Sequence, residues 1–370
     1  MGSRKKQVVL VTSQYAPFQV EFAETVNSES LAIVYHVIFT DTANKRPEHW
    51  LSHRYATSEY SICAPEGLEP SRVAAWVSRQ IAALKPDVLI AGGIRNQAYR
   101  SARSYAMHNN TCAFGLWMEP PYIESSFIKR FARFMDYFFR TRGIDFIFSI
   151  GDRALNFHNK FVRNCFFVPY GIELPSAHDV IDSTSDRLSL VFAGGLVPRH
   201  DFRFLLTIIQ RLRDEEGVDV DLIFSGDGPE KKWLQNQVTR LKLTDRVRFI
   251  EAFDTWEQRL RVYHEGAIFA YPTHHAGWGL VIPEALSQGN VVISSPMAES
   301  ARFGVIPGCN GYVLELDEDL WMNHIKLLNN DRSKLLKMRK SAIASSEFLD
   351  ARYVYKLFEA ATRVVTSKYY

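Results

Sequence analysis

The sequence predicts an α/β protein with two doubly wound domains. Short apolar runs alternate with amphipathic stretches along most of the chain, as in parallel sheets whose strands are joined by crossover helices. The pattern breaks once, in residues 174–186 (LPSAHDVIDSTSD), which are rich in Pro, Ser and Asp. Because 370 residues exceed one ordinary hydrophobic core, we interpret the break as a linker between domains.

The apolar runs place the elements in order. In the first domain we expect a helix at residues 72–84 and strands at residues 8–11, 33–39, 88–91, 112–116 and 146–150. In the second we expect strands that begin near Leu188, Asp221, Arg246, Ala267 and Asn290. Apolar side chains at helical spacing predict a last helix over 350–367. The predicted organisation is a first domain (1–173), a linker (174–187), a second domain (188–349) and a C-terminal helix (350–370).

Composition narrows the choice of function. The net charge of +3 is too small to indicate a nucleic-acid partner. The cysteines are far apart in sequence, so we expect neither a disulfide framework nor a zinc site, and a reduced, cytoplasmic setting; they are Cys63, Cys112, Cys165 and Cys309. No apolar run approaches the roughly 20 residues of a membrane-spanning helix. Residues 7–12 are too short for the apolar region of a signal peptide and are expected to form a buried strand.

Three glycine-rich turns follow predicted strands of the second domain. They are FAGGLVPRHD with Gly194 and Gly195, FSGDG with Gly226 and Gly228, and THHAGWG with Gly277 and Gly279. Open α/β sheets bind ligands at the carboxyl ends of their strands, and a helix N-terminus favours an anion. Chain geometry alone explains any one such turn, whereas three in one domain favour a nucleotide-type ligand.

Five segments in sequence order resemble motifs of a known family. They are VPYGIE (168–173), FAGGLVPRHD, FSGDGPEKKWLQNQVTRLKLTDRVRFIEAF, YPTHHAGWGLVIPEALSQGNVVIS and ESARFGVIPGCNGYVLE. This half of the chain resembles nucleotide-sugar glycosyltransferases of the GT-B architecture, within family 4 (glycosyl transferases group 1). The first domain resembles them only in architecture.

The resemblance implies both a fold and an activity. Two Rossmann-like domains would face each other across a cleft, and the C-terminal helix would return to the first domain. The enzyme would move a sugar from a UDP- or GDP-linked donor to a glycan or lipid-linked acceptor, with retention, in cell-surface polysaccharide, lipopolysaccharide or glycolipid synthesis. Family members usually need no metal, so we expect no metal and no permanently bound cofactor, with the nucleotide sugar as substrate.

The resemblance also implies a donor site. Gly194 and Gly195 would approach the diphosphate, and Glu284 would accept hydrogen bonds from the ribose hydroxyls. Backbone N–H groups near the third turn would face the sugar and the phosphate, where N–H donors stabilise developing charge. The predicted donor residues are Gly194, Gly195, Arg199, His200, Gly226, Gly277, Trp278, Gly279, Leu280 and Glu284.

The sequence departs from the family pattern at three positions. Ala276 stands where relatives have the first glutamate of the motif, Gly195 replaces the usual Arg and His200 the usual Lys. Arg199 and His200 would supply positive charge, His200 only when protonated. Either His275 or His274 would contact the sugar in place of the missing acid, and we take His275 as the catalytic candidate. The alternative is that both histidines are polar loop residues.

The first domain offers candidates for the acceptor side. Glu119 lies in FGLWMEPPYIESS after a predicted strand, and it would orient or deprotonate the acceptor hydroxyl. The alternative is a surface acid that caps a turn. Tyr15, Phe18 and Gln19 would shape the acceptor side from the first turn, and Arg95 of IAGGIRNQAYR would join them.

Residues 125–143 (SSFIKRFARFMDYFFRTRG) combine aromatic and basic residues at helical spacing. This pattern is typical of a helix at a membrane surface, and also of a helix whose aromatic face packs on the core. In the first case the protein would be peripheral on the inner face of the cytoplasmic membrane. The membrane residues would be Phe127, Lys129, Arg130, Phe131, Arg133 and Phe134.

Two other functions compete with glycosyl transfer. Ala276 and Gly195 are compatible with a GT-B binding protein whose catalysis is impaired. A nucleotide-sugar epimerase of related architecture would bind the same kind of donor without needing an acceptor.

Overall fold

A computed structural model describes residues 4–41, 58–109, 111–121, 126–175, 187–251 and 256–367. The chain forms two compact units, Met1–Glu173 with Asp350–Tyr370, and Leu174–Leu349. Most of the predicted linker, residues 176–186, lies outside the described residues.

The first unit is built on one parallel sheet. In its described part the sheet has seven strands in the order β3-β2-β1-β4-β5-β6-β7. The strands are β1 (Lys6–Thr12), β2 (Ile33–Phe39), β3 (Ser61–Cys63), β4 (Val88–Ala91), β5 (Ala113–Met118), β6 (Phe146–Ser149) and β7 (Cys165–Phe167). The helices between them are α1 (Pro17–Glu29), α2 (Pro70–Leu84), α3 (Gln97–Met107), α4 (Phe127–Arg140) and α5 (Asp152–His158). The strand order reverses direction between β1 and β4, which makes that pair the topological switch point.

The second unit repeats this architecture. Its described sheet has six parallel strands in the order β10-β9-β8-β11-β12-β13, with the switch point between β8 and β11. The strands are β8 (Leu188–Ala193), β9 (Val220–Ser225), β10 (Val247–Ile250), β11 (Ile268–Tyr271), β12 (Val291–Ser294) and β13 (Gly311–Val313). The helices are α6 (Phe202–Asp214), α7 (Lys231–Arg240), α8 (Val281–Ser287), α9 (Glu299–Gly304), α10 (Glu318–Asn330) and α11 (Arg332–Ser346), with 3₁₀ helices at Trp256–Glu265 and Glu347–Leu349.

The last helix, α12 (Ala351–Thr366), completes the core of the first unit. Asp350 caps it, its side chain accepting a hydrogen bond from the Arg352 N–H, and the Ala351 N–H donates to the Ile172 carbonyl at 2.8 Å. Phe358 is fully buried. Its ring lies 4.9–5.5 Å from four aromatic rings, those of Phe22, Tyr35, Trp117 and Phe148.

The prediction of an α/β protein with two doubly wound sheets is confirmed. The strands at 33–39 and 88–91 have the predicted bounds, and the other predicted strands of the first unit differ by one or two residues at one or both ends. The predicted strands of the second unit begin at, or one residue from, the expected positions. None of the four cysteines forms a disulfide. Among the described helices none is long and apolar enough to cross a membrane.

The aromatic packing around Phe358 predicts a large contribution to stability. Phe358→Ala should lower the free energy of unfolding by about 3–5 kcal/mol, because truncating a buried Phe leaves a cavity. Tyr353→Ala is the matched control, since Tyr353 lies on the same helix with its side chain exposed and should change stability by less than about 0.5 kcal/mol. Urea unfolding measures both, and equal losses for the two variants would contradict the packing argument.

Candidate functional site

The turns that leave the switch-point strands of the second unit are joined by backbone hydrogen bonds. His200 and Thr273 form an antiparallel bridge. The Asp201 N–H donates to the Pro272 carbonyl at 2.7 Å, and the His274 N–H donates to the Arg199 carbonyl at 2.8 Å. Two of the three predicted turns therefore form one surface at the carboxyl ends of β8 and β11, where ligands of such sheets bind.

The remaining turn, FSGDG, packs directly on FAGGLVPRHD. Gly226 (φ +134°) and Gly228 (φ +156°) have backbone conformations that favour glycine, and a Cβ at these positions would lie 2.0 Å from the Gly194 oxygen and 2.3 Å from the Leu196 oxygen. The Leu196 N–H donates to the Asp227 carbonyl at 2.9 Å. Close backbone packing is sufficient reason for glycine at 226, and its contact with a donor stays a prediction.

Gly195 is different, because it is exposed and has room for a side chain. The nearest atom to a Cβ built there is Val197 Cγ1 at 3.7 Å. Its neighbour Gly194 is half-buried with φ +138°. Sterics therefore do not explain why Gly195 replaces the Arg expected from the motif resemblance, and the exposed Arg199 is the cation that this turn offers.

Glu284 is held inside the unit by two partners. It lies in the first turn of α8 and is 7% exposed. Its Oε1 accepts a hydrogen bond from Arg259 Nε at 3.0 Å, and its Oε2 accepts one from the Tyr263 hydroxyl at 2.7 Å. Arg259 and Tyr263 are also buried. Burial raises the pKa of the Glu284 carboxyl, and the charge of Arg259 opposes that rise.

This pairing leaves lone pairs on the Glu284 carboxylate that could accept the predicted ribose hydrogen bonds. Each carboxylate oxygen has two lone pairs, and each of the two bonds uses one of them. Arg259 and Tyr263 thus fix the rotamer of Glu284, and the ribose contact stays a prediction. Neither partner was found from sequence, since they lie in a 3₁₀ helix that carries no recognisable motif.

The prediction that His200 supplies positive charge is wrong. The ring is buried among Phe192, Phe202 and Tyr271, with centroid distances of 5.0–5.7 Å. Burial, together with the charge of Arg199, lowers the pKa of His200 to about 3. The imidazole is therefore neutral near pH 7, and its Nε2 accepts a hydrogen bond from Arg199 Nε at 3.3 Å.

In the segment around Ala276, backbone groups and two histidines lie at the carboxyl-end edge of the second sheet. His274 is exposed, with Nε2 3.3 Å from Asp201 Oδ2, and the half-buried His275 donates its N–H to Thr273 Oγ1 at 3.3 Å. The Trp278 side chain is buried, so only its backbone is available to a ligand. Gly277, Gly279 and Leu280 are half-buried. Gly279 has φ +88°, and its carbonyl accepts a hydrogen bond from Ser300 Oγ at 2.7 Å.

The first unit has a pocket at its own switch point, which we call the switch-point pocket. Its volume is about 210 Å³, and it is lined at the ends of β1, β4 and β5 by Leu10, Thr12, Gln19, Gly92, Gly93, Trp117, Met118, Glu119 and Tyr170. Gln19 is 8% exposed, and its buried Oε1 has no hydrogen-bond partner among the described residues. Two predicted acceptor-side residues, Gln19 and Glu119, therefore meet in one pocket.

The other residues predicted on this side divide between core and surface. Phe18 packs on Tyr170, with 5.0 Å between ring centroids. Because Tyr170 lines the switch-point pocket, Phe18 contacts the wall of the pocket without lining it. Tyr15 is fully buried against Phe39 at 5.1 Å, and burial raises the pKa of its hydroxyl. Its assignment to the acceptor side was wrong, because it belongs to the core. Arg95 is exposed and forms an ion pair with Asp136 of α4, Nη2 to Oδ2, at 2.8 Å.

Helix α4 presents its aromatic side chains to solvent. Of the residues in this helix only Tyr137 is buried, while Phe127 is 78% and Phe131 59% exposed. We call the exposed set the aromatic face; it comprises Phe127, Ile128, Phe131, Phe134, Phe138 and Phe139. The alternative in which this face packs on the core is therefore wrong. Lys129 and Arg130 are exposed as well, and Arg133 is half-buried.

Among the described residues, no group of three or more His, Cys, Asp or Glu side chains is arranged to hold a metal ion.

Comparison with known proteins relates the second unit to a family. Residues 176–345 match the model of the family described as glycosyl transferases group 1. The match covers most of the second unit, and the fold of the chain is GT-B. The 2-deoxystreptamine N-acetyl-D-glucosaminyltransferase of Niallia circulans is 23% identical over 126 residues, 34% of this chain and 32% of that enzyme. The alignment thus spans about a third of that relative's length.

Solved structures are similar over nearly the whole chain. The lipopolysaccharide outer core galactosyltransferase WaaB, in its apo form, has a TM-score of 0.72 at 15% identity and covers 97% of this chain and 99% of its own. HepE of Anabaena in complex with UDP has 0.74 at 15%, covering 97% and 100%. Sucrose-phosphate synthase of Thermosynechococcus elongatus has 0.74 at 14%, covering 98% and 100%. These similarities establish the fold.

The buried pair at Glu284 predicts a pH-dependent stability. Arg259→Met should lower the free energy of unfolding by about 3–5 kcal/mol at neutral pH, because it leaves a buried carboxylate without its cation. Burial raises the pKa of Glu284, so the deficit should shrink as the pH falls and the carboxyl is protonated. Arg261→Met is the control, since Arg261 is exposed on the same 3₁₀ helix. Chemical unfolding over a pH series measures this, and a deficit that does not change with pH would contradict it.

Proposed function

We propose that this protein transfers a sugar from a UDP- or GDP-linked donor to a glycan or lipid-linked acceptor. The observation that carries the proposal is the match of residues 176–345 to a glycosyltransferase family, over the unit whose switch-point turns form one surface. The complex of HepE with UDP supports a nucleotide ligand. We further propose that transfer is retaining and metal-independent, as the resemblance implies.

The donor would lie on the joined turns of the second unit. Backbone N–H groups near Gly194, Gly195 and Gly277 would face the phosphates, and Arg199 would supply the positive charge that the neutral His200 does not. Glu284 would accept hydrogen bonds from the ribose, and His275 would contact the sugar where Ala276 leaves no acid. Positioned donors and cations of this kind stabilise the charge that develops on a leaving diphosphate.

The acceptor hydroxyl would enter the switch-point pocket of the first unit. Glu119 would orient or deprotonate it, and the buried Gln19 Oε1 would accept a hydrogen bond from the same acceptor. A pocket of about 210 Å³ is smaller than those that enclose drug-sized ligands. It would therefore hold the terminal sugar of a longer acceptor, with the remainder outside.

Ligand-induced stabilisation tests the donor proposal. UDP, GDP and their sugar conjugates are added to the full chain, and a bound nucleotide should raise the melting temperature with increasing concentration. The absence of stabilisation by every nucleotide would contradict the proposal.

Ribose binding by Glu284 has its own test. Glu284→Ala would leave Arg259 buried without its carboxylate, so Glu284→Gln is the better variant. It should weaken binding of the stabilising nucleotide about 10-fold or more, since hydrogen bonds to charged groups contribute about 1.5–3 kcal/mol. The 2′,3′-dideoxy form of that nucleotide is the control, because it lacks the hydroxyls that Glu284 would bind. An equal loss of affinity for both forms, measured by calorimetry, would exclude the ribose contact.

One rival function rests on specific observations. At three positions this chain lacks the charged side chain that the motif resemblance leads us to expect at the donor site. They are Ala276, Gly195 and the neutral His200, and their combination fits a binding protein with impaired catalysis. Detectable transfer or hydrolysis of any nucleotide sugar would exclude that rival. Conversion of the sugar without an acceptor would instead identify an epimerase.

We also propose that α4 lies on an anionic membrane surface. Its aromatic face is exposed, and Lys129, Arg130 and Arg133 lie on the same helix, the combination found in interfacial helices. The helix is fastened at its C-terminal end, where Arg103 donates hydrogen bonds to the carbonyls of Arg140 and Arg142 at 3.1 and 2.8 Å. The protein would accordingly be cytoplasmic and peripheral.

Vesicle binding tests the membrane proposal. Phe127→Ser with Phe131→Ser should reduce binding to vesicles of phosphatidylglycerol and phosphatidylcholine at least 10-fold, because it removes two exposed aromatic side chains from the interface. Leu31→Ser is the control, since Leu31 is 89% exposed on a different segment of the same unit. Sedimentation with vesicles measures binding, and an equal effect of control and test variants would contradict the assignment to α4.

A further inference from the structure

Arg199 is held at two places in the FAGGLVPRHD turn of the second unit. Its carbonyl accepts hydrogen bonds from the His274 N–H at 2.8 Å and from Thr273 Oγ1 at 3.3 Å, and Thr273 is fully buried. Its side chain donates from Nε to His200 Nε2 at 3.3 Å. A guanidinium has five N–H donors. The four on the two Nη atoms remain after this bond, and the described residues give them no acceptor.

The His200 ring accepts this hydrogen bond in only one of its forms. A neutral imidazole has one acceptor nitrogen and one N–H group, whereas an imidazolium has two N–H groups and no acceptor. Because Nε2 accepts from Arg199, the ring proton lies on Nδ1. Burial and the charge of Arg199 lower the pKa of His200 to about 3. The acceptor form therefore persists throughout the pH range in which proteins are usually assayed.

His200 occupies its place at a cost to stability. The residue is 4% exposed, and its Nδ1 is buried without a hydrogen-bond partner among the described residues. A buried N–H group without an acceptor destabilises the folded state. The ring packs on Phe192, Phe202 and Tyr271, and a phenylalanine would make similar contacts with no polar group to bury. A polar residue placed at a stability cost is typical of functional sites, so packing alone does not account for this histidine.

The guanidinium of Arg199 lies where this unit would bind an anion. Its turn is joined to the turn after β11 at the carboxyl ends of the switch-point strands, which is where open α/β sheets bind ligands. The two Nη atoms form a planar fork that suits two oxygens of one phosphate. A fork that is already fixed through Nε loses less conformational freedom when a ligand binds.

We propose that His200 is a positioning residue of the donor site, whose Nε2 holds the Arg199 guanidinium in the orientation that binds a phosphate of the nucleoside diphosphate. This assignment rests on the proposed function. Arg199 contacts the ligand, and His200 acts only through Arg199. The two residues together replace the lysine that the motif resemblance leads us to expect at position 200, with the cation moved to position 199.

Two substitutions of His200 separate positioning from packing. His200→Phe keeps an aromatic ring in the cluster and removes the acceptor. It should melt at the native temperature or above, yet bind UDP or GDP, whichever stabilises the protein, about 5-fold or more weakly. His200→Gln keeps a carbonyl acceptor near the position of Nε2 but fills less of the cluster, so it should melt lower and bind the nucleotide more tightly than His200→Phe. The same order of the two variants in both measurements would overturn the proposal, because a residue that only packs would give it.

A double-variant cycle tests whether His200 acts through Arg199. Arg199→Gln should weaken binding of the nucleoside diphosphate about 10-fold or more. Adding His200→Phe to that variant should cause no further loss, because effects within one network are not additive. Arg203→Gln is the matched control, since Arg203 is exposed on α6 and lies over the Trp233 ring, and it should leave the affinity unchanged. Independent losses at positions 199 and 200, or an equal loss in the control, would overturn the proposal.

Inorganic pyrophosphate distinguishes failure of this pairing from failure of the proposed function, because it carries two phosphates without sugar or base. Calorimetry on the full chain should show that it binds the native protein and loses affinity in both Arg199→Gln and His200→Phe. Stabilisation by a nucleotide that both variants leave intact would overturn the role of His200 and leave glycosyl transfer standing. Binding of pyrophosphate that depends on both residues, without stabilisation by any nucleotide, would support the pairing and contradict the proposed function.

Discussion

The position of both candidate sites follows from the parallel sheet. At the switch point the chain leaves two neighbouring strands toward opposite sides, so their carboxyl ends are not bridged by a connection and a crevice remains. In the first unit this happens between β1 and β4, where Thr12, Gly92 and Gly93 line a pocket. In the second it happens between β8 and β11, where two turns are joined by hydrogen bonds. The candidate side chains therefore come from loops and from the first turns of helices, while the strands below them are apolar and buried.

Glu284 is the single acid in residues 273–289, and its burial determines which neighbours it needs. A carboxylate at 7% exposure is costly unless it is paired and hydrogen-bonded, and Arg259 and Tyr263 meet both needs. Such a pair contributes little net stability compared with apolar residues of the same size, so its value lies in holding one rotamer of Glu284. Residue 276 is buried too, and an acid there would need a partner of its own. Alanine avoids that requirement and leaves the neighbouring His275 at the edge.

Sequence patterns predicted the fold further than they predicted the site. Long apolar runs gave the bounds of β2 and β4, but β3, β7 and β13 have three residues each and are too short to show a period. Gln19 and Glu119 line one pocket because both follow strands of the same sheet, and their contact with an acceptor stays a prediction. Arg259 and Tyr263 were missed because they contact Glu284 across 25 and 21 residues. Tyr15 and His200 were misjudged because their burial depends on how each loop folds back on an aromatic cluster.

Helix α4 has the reverse of the usual arrangement for a helix on a globular domain. The side of the helix that packs on the unit carries Asp136, Arg140 and Tyr137, and its apolar side is exposed. In most helices of globular domains the apolar stripe faces the core instead. Exposed apolar surface of this extent on one helix typically marks an interaction site. The ion pair between Asp136 and Arg95 and the packing of the buried Tyr137 on Phe157 and Phe161 attach this side of the helix to the unit. These contacts leave the aromatic face directed outward, so its exposure follows from the polar and aromatic groups on the opposite side.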